Sequence, residues 1–275
     1  MAIKEPTNAD DNLFINISFS QLENNTGYLN LIMTYVIIKE KSEAFMIKID
    51  DHHRMNMYLK KYNILNFFDK DVLDHLSVFK FEASEYIYRD GDYLDYFYFF
   101  VEGKAKVFSR LSNGKSLLLS FYKPLQIMGD IELFNEDCVK VNVKTISESY
   151  CIGLPIDYVR TNLIEDNKFL QMLCKDLGKK LDRCSNNSSI NLLYPLENRL
   201  ASYIMAIDTK ESSENRVLTF YDSLTEISEL LGTSYRHLHR TVTSFVEKGI
   251  LRKTKKGYEI VNRAPLNLMA NDLYS

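Results

Sequence analysis

The densest group of side chains able to do chemistry lies between Leu224 and Leu251, in LTEISELLGTSYRHLHRTVTSFVEKGIL. Tyr235, Arg236, His239 and Arg240 recur there at helical spacing, opposite the apolar Leu238, Val242 and Phe245. Donors on one helix face suit the acceptor pairs, such as guanine O6/N7, that base edges present in a B-DNA major groove, which admits one α-helix. Arg236, near the helix start, is the candidate for base readout and Arg240 for a phosphate; Tyr235 and His239 suit either role. Thr233 or Ser234 can cap the same helix, leaving free N–H groups and a positive dipole end that favour an anion.

Two helices and a turn must position this face. Ile227, Leu230 and Leu231 predict a short first helix, Gly232 a left-handed turn residue, and Ser234 the start of the second helix. The following LRKTKKGYEIV reads as a strand, a turn at Lys256-Gly257 and a second strand, a hairpin wing that offers Lys253, Lys255 and Lys256 to phosphates. Gly232 to Arg263 holds eight Lys or Arg against two Glu, a net +6, so a chain of formal charge −3 leaves −9 for the remainder. A basic surface on an acidic body supplies the counterion release that duplex DNA binding needs.

The rest of the chain of 275 residues has the composition of folded domains, with 45% hydrophobic residues, 10 Gly and 5 Pro. Phe79 to Pro155 is rich in aromatic and β-branched runs, and Asp90-Gly91, Glu102-Gly103 and Asn113-Gly114 mark tight turns, which predicts a roll or barrel. The aromatic run Tyr96–Phe100 reads as core packing. Tyr58 to His75 looks helical, and a longer helical stretch opens at Pro155 and runs to Tyr194. In it Leu173, Leu177, Leu181, Cys184 and Ser188 follow steps of 4, 4, 3 and 4. This narrow stripe suits a homodimer seam or packing on the protein's own β-domain, and its charged flanks favour the seam. Asn186 to Ser189 weaken the helix and predict a hinge.

Metal and redox chemistry find little footing. Cys138, Cys151, Cys174 and Cys184 form no CxxC pair, and His52-His53 lacks the i,i+4 spacing of ligands on one helix face. No nucleophile–base constellation and no phosphate-cradling glycine loop is present, so an enzyme is not expected. The longest uncharged stretch, Asn24 to Ile38, is too short to span a bilayer, and the start lacks a leader pattern. A cytoplasmic protein without membrane contact is expected.

From about Tyr58 to Asn262, roughly three quarters of its length, the chain resembles the Crp/Fnr family of bacterial transcription regulators. The residues that carry the resemblance are Asp90-Gly91-Asp92, Tyr96 to Gly103, Ser112 to Lys115 and Gly129-Asp130-Ile131-Glu132-Leu133 in the β-rich part. Pro195 to Ile207 and the helix–turn–helix carry it in the C-terminal part. GDIELF, GTSYRHL and KKGYEIVNR look most similar to the YeiL-type branch.

The resemblance implies an α+β chain with four parts. These are an N-terminal extension (1–54), a cyclic-nucleotide-binding-like β-roll sensor domain (55–166), a long dimerisation helix with hinge (167–194) and a winged helix–turn–helix DNA-binding domain (195–275). It also implies a homodimer on a pseudo-palindromic site, RNA polymerase as a partner and a small-molecule effector whose pocket would involve Gly129, Asp130, Ile131, Glu132, Val139 and Lys140. The chain departs from the family where it matters for that effector. Cyclic-AMP-binding members hold the phosphate with an Arg-Ser pair, and Cys138-Val139-Lys140-Val141 stands here instead, which argues against a cyclic nucleotide. No cysteine precedes Cys138, which argues against the iron–sulfur cluster of the oxygen-sensing branch. The effector is left unidentified. The competing reading is a ligand or redox sensor that works mainly through protein contacts.

Overall fold

The structure, a computed structural model, describes residues 47–112, 114–135, 138–208, 223–255, 257–270 and 273. The apolar stretch 28–38, Asn113 and Lys256 lie outside the described residues, as does the extension up to residue 46.

Nine antiparallel strands make the roll: β1 (Ile47–Ile49), β2 (Ser77–Phe81), β3 (Tyr86–Tyr88), β4 (Tyr96–Glu102), β5 (Ala105–Arg110), β6 (Ser116–Tyr122), β7 (Gln126–Met128), β8 (Asn142–Thr145) and β9 (Ser149–Pro155). They form a sheet of order β1-β2-β9-β4-β7 and a second of order β3-β8-β5-β6. Successive side chains on a strand face opposite ways, and β4 uses both faces. Phe97, Phe99 and Val101 pack under the helices, whereas Tyr98 and Phe100 pack between the sheets with Phe79, Phe81 and Cys151. Gly153 leaves the room this stack needs: a Cβ there would stand 2.6 Å from the Phe79 ring.

Two short helices complete the roll, α1 (His52–Tyr62) and α2 (Asp130–Asn135). The helix expected from Tyr58 to His75 differs in both limits. Asp51 caps α1 by accepting the Arg54 N–H (2.8 Å), and Asn63, at φ +50°, ends it in the left-handed region. Two 3-10 turns, Ile64–Phe67 and Leu73–His75, follow. The expected boundary after residue 54 falls inside α1, and β1 pairs with β2, so residues 47–54 are built into the roll.

The long helical stretch is also divided. α3 (Ile156–Tyr158) runs into a π turn, Val159–Leu163, before α4 (Asn167–Leu193) begins. Asp166 starts α4 by accepting the Phe169 N–H (3.0 Å), and its other oxygen accepts the N–H groups of Asp69 and Lys70. No break occurs at Asn186–Ser189. Ser188 and Ser189 donate to the carbonyls of Cys184 and Ser185, satisfying their hydroxyls within the helix, which continues to Leu193.

The C-terminal unit comprises α5 (Leu196–Ile207), α6 (Leu224–Leu230), α7 (Tyr235–Glu247), the hairpin β10 (Leu251–Thr254) and β11 (Gly257–Ile260), and α8 (Arg263–Ala270). Leu200, Tyr203, Ile227, Leu231, Leu238, Val242 and Phe245 form its core. Leu118 and Phe121 of β6 join that core, with the Phe121 and Tyr203 rings 5.8 Å apart. Roll and C-terminal unit thus share buried apolar surface, which removes water from both.

Candidate functional site

The helix pair of the C-terminal unit is set by its own sequence. Ser223 and Glu226 form a capping box at the start of α6, each side chain accepting the other's backbone N–H (3.2 and 2.7 Å). Gly232 then takes φ +59°, a conformation in which a Cβ is costly, and the Thr233 N–H returns to the Ser228 carbonyl (2.9 Å). Ser234 caps α7 by accepting the His237 N–H at 3.2 Å.

On α7 the apolar side chains Leu238, Val242 and Phe245 are buried, with Thr241 beside them. Tyr235, Arg236, His239 and Arg240 lie on the exposed side, as do His237 and Thr243, which the sequence reading did not single out. Arg236, Arg240 and Thr243 follow i, i+4, i+7 spacing, a signal that marks Thr243 as a third member of the stripe. The Thr243 hydroxyl already donates to the His239 carbonyl (2.9 Å), so its methyl is the part left to make contacts.

β10 and β11 form the hairpin in the register Arg252↔Glu259, and these two side chains make an ion pair of 3.5 Å. Arg252 is thereby partly neutralised, whereas Lys253 and Lys255 stand exposed. Gly257 opens the second strand and so follows the turn. Burial, with the Tyr235 phenol close enough to contribute, pushes the Tyr258 hydroxyl up from its ordinary pKa, which places this strand beside the start of α7.

The six residues expected around the effector do not converge. Gly129 adopts φ +94°, and a Cβ there would press on Leu94 at 3.0 Å. Asp130 is buried and bound to Lys180, while Ile131 is 52% exposed. Burial raises the Glu132 carboxyl above its ordinary range, and the nearby Asp130 adds to the effect. Val139 is in the core between the sheets, held by backbone bonds to Gly91 and Asp92. Lys140 faces outward and donates to Cys138 Sγ at 3.4 Å. A cyclic nucleotide phosphate therefore meets an apolar wall at Val139 and a lysine turned away, and these residues do not fit it.

What the sequence reading missed is a polar face of α4. Lys180 donates to the Ile127 carbonyl and to Asp130 (both 2.7 Å), Arg183 to Gln126 Oε1 (2.8 Å), and Asn187 to the Leu119 carbonyl. Asp176, 3.2 Å from Lys180, belongs to the same face. Positions 176, 180, 183 and 187 repeat at helical spacing, but charged residues there read as solvated flanks.

The stripe expected to form a seam is split by the same rotation. Leu173 is buried in the roll's own core and is not available to a partner, because α4 turns this side onto Phe97 and Phe169. Leu177 is half-buried, Leu181 is 71% exposed and Cys184 is exposed. Leu192, 83% exposed, extends the outward line. No group of His, Cys, Asp and Glu that could hold a metal occurs among the described residues, and no described helix is long and apolar enough to cross a membrane.

Comparison with known proteins adds to this geometry. Residues 78–166 match the cyclic nucleotide-binding domain family and residues 198–269 the Crp-like helix-turn-helix domain family. The regulatory protein YeiL of Escherichia coli O157:H7 is 34% identical over 203 residues, which cover 74% of this chain and 90% of that protein. A CRP-like cAMP-activated global transcriptional regulator of Mycobacterium tuberculosis is 22% identical over 175 residues, 62% of this chain and 78% of the relative. Among solved structures, a transcriptional regulator of the CRP/FNR family from Thermus thermophilus superposes with a TM-score of 0.57 at 18% identity. That match covers 70% of this chain and 98% of the other.

Proposed function

The chain belongs to the Crp/Fnr family of transcription regulators, and from that premise we propose that it acts as a homodimer whose two α7 helices read an inverted repeat in duplex DNA. The observation that carries this reading is the face of α7: Arg236, His239 and Arg240 exposed on one side, Leu238, Val242 and Phe245 buried on the other, and a Ser234-capped start. Arg236 is assigned to a base edge and Arg240 to a phosphate, while Tyr235 and His239 contact either. The backbone at Thr233 and Ser234 offers N–H groups to a phosphate at the helix start, and Lys253, Lys255 and Lys256 bring the wing to the adjacent backbone. The seam uses Leu177, Leu181, Cys184 and Leu192 of each α4, with two such helices bringing the α7 pair about one DNA turn apart.

Control comes from a signal at the roll that is not a cyclic nucleotide held in the usual way, since Val139 and Lys140 offer its phosphate no cradle. The signal acts by shifting the population of C-terminal unit orientations. In the cytoplasm the DNA-bound dimer is assigned RNA polymerase as its partner.

Genome-wide crosslinking of the protein to DNA, with Arg236→Ala as the control, tests the reading. Recovery of an inverted repeat by the wild type that the variant no longer selects supports it. Identical sites for both proteins would overturn the assignment of Arg236, and no enriched sites under any growth condition would overturn DNA binding.

A further inference from the structure

The outer face of the sheet β3-β8-β5-β6 carries cations and rings in one group. Tyr86 has the Arg89 guanidinium 4.5 Å from its ring centre and the Lys144 ammonium at 5.3 Å. Phe108, whose ring is 6.4 Å from that of Tyr86, has the Lys106 ammonium at 5.9 Å. The register places Lys144 directly opposite both Tyr86 and Lys106, so two lysines occupy paired positions on neighbouring strands, and like charges so placed favour a nearby anion.

Nearby carboxylates do not answer the charges of Arg89 and Lys144. Asp92 accepts the backbone N–H of Arg89 (2.9 Å), and Glu85 accepts that of Glu82 (2.7 Å). No described carboxylate makes an ion pair with the Arg89 or Lys144 side chain, and Arg89 Nε is buried without a hydrogen-bond partner among the described residues. Cations laid over an aromatic ring without acidic partners suit a phosphate backbone.

The location favours a nucleic acid continuous with the helix–turn–helix. The same sheet face continues through Phe108 to Leu118 and Phe121, which pack into the C-terminal core. On β6, Leu117 lies 3.6 Å from where a Cβ would stand on Gly232, the turn that precedes α7. Three strand spacings, about 14 Å, separate β6 from β3, less than half of a DNA helical turn. We propose that Arg89 and Lys144, on either side of Tyr86, bind the phosphates of DNA flanking the site read by α7, so that the roll itself is part of the DNA interface. The inference rests on the DNA-binding reading above and adds a contact outside the helix–turn–helix.

The test compares two duplexes carrying a site selected by the full-length wild type from a randomised pool, one trimmed to the site and one with about 20 base pairs added on each side. The wild type should bind the longer duplex about tenfold more tightly, and the double variant Arg89→Ala/Lys144→Ala should lose that gain while binding the trimmed duplex as before. The slope of log K against log salt on the long duplex should fall by about 2, for two phosphates released, and Arg89→Lys/Lys144→Arg should restore it. Equal wild-type affinity for the two duplexes, or equal weakening of both by the double variant, would overturn the flank contact while leaving the role of α7 intact. Wild-type protein that binds neither duplex would remove the DNA-binding reading and this inference with it.

Discussion

The Lys180 ammonium stands 2.7 Å from Asp130 Oδ1, with the two side chains 14% and 3% exposed. This pair joins α4 to the turn between β7 and α2. Burial works against the Lys180 charge, but Tyr122, Asp130 and Asp176 outweigh it and hold its pKa above the ordinary lysine value. Asp176 is the surplus carboxylate: burial pushes its pKa up, and the attraction of Lys180 only partly offsets this.

Replacement of Lys180 by Met should therefore cost about 3–5 kcal/mol at neutral pH, because it leaves buried carboxylates without a countercharge. The loss should shrink on acidification, since carboxylates with raised pKa gain stability as pH falls through that value and they become neutral. Urea unfolding of wild type and variant at pH 7 and pH 5 measures both effects, and an equal loss at the two values would contradict the account.

Asp166 gives the opposite pH signature. Burial opposes its charge, but backbone N–H groups of Phe169, Asp69, Lys70 and Lys168 hold its carboxyl below the ordinary value. A depressed carboxyl contributes stability above its unfolded pKa, about 3.9, and loses it as pH falls through the folded value. Asp166→Ala should cost about 2–4 kcal/mol at pH 7 through the lost cap and the orphaned loop donors, and the difference from wild type should narrow below about pH 4. Thermal unfolding across that range is the check.

Two leucines eight positions apart on α4 should respond differently. Leu181→Asp should yield a species of half the mass in sedimentation at micromolar concentration with little change in roll stability, because Leu181 is 71% exposed. Leu173→Ala should leave the mass unchanged and cost about 2–5 kcal/mol, since it removes a side chain buried in the roll core. A variant at Leu181 that keeps the wild-type mass would place the seam elsewhere.

Arg236→Ala should cost about 1–3 kcal/mol on the selected site and relax the preference at one base position. Lys255→Ala should weaken all duplexes alike and reduce the salt slope by about 1. Binding measured by fluorescence anisotropy on the site and on single-base variants separates the two patterns.

The helix–turn–helix was legible because its determinants are local. Leu238, Val242 and Phe245 specify a buried stripe by spacing alone, Gly232 supplies a turn that few residues tolerate, and Ser234 caps the helix that begins one residue later. The strands were legible for a similar reason, as Gly91, Gly103 and Gly114 all adopt positive φ at the turns between them. Local signals failed where two readings share one spacing. Leu173 and Leu181 are both apolar members of a stripe, yet one faces the roll and the other solvent.

The sequence by itself thus determined the elements, the capped recognition helix and its cationic face, because each depends on residues within a few positions of one another. Tertiary structure alone decided which side of α4 meets the roll, that Val139 is sealed in the core, and that Lys180 finds Asp130 50 residues away. It also decided that β6 joins the C-terminal core and that Arg89 and Lys144 share the Tyr86 ring. These relationships arise from sheet register and from the rotation of a helix against distant strands. Both are fixed only when the whole apolar surface is buried at once.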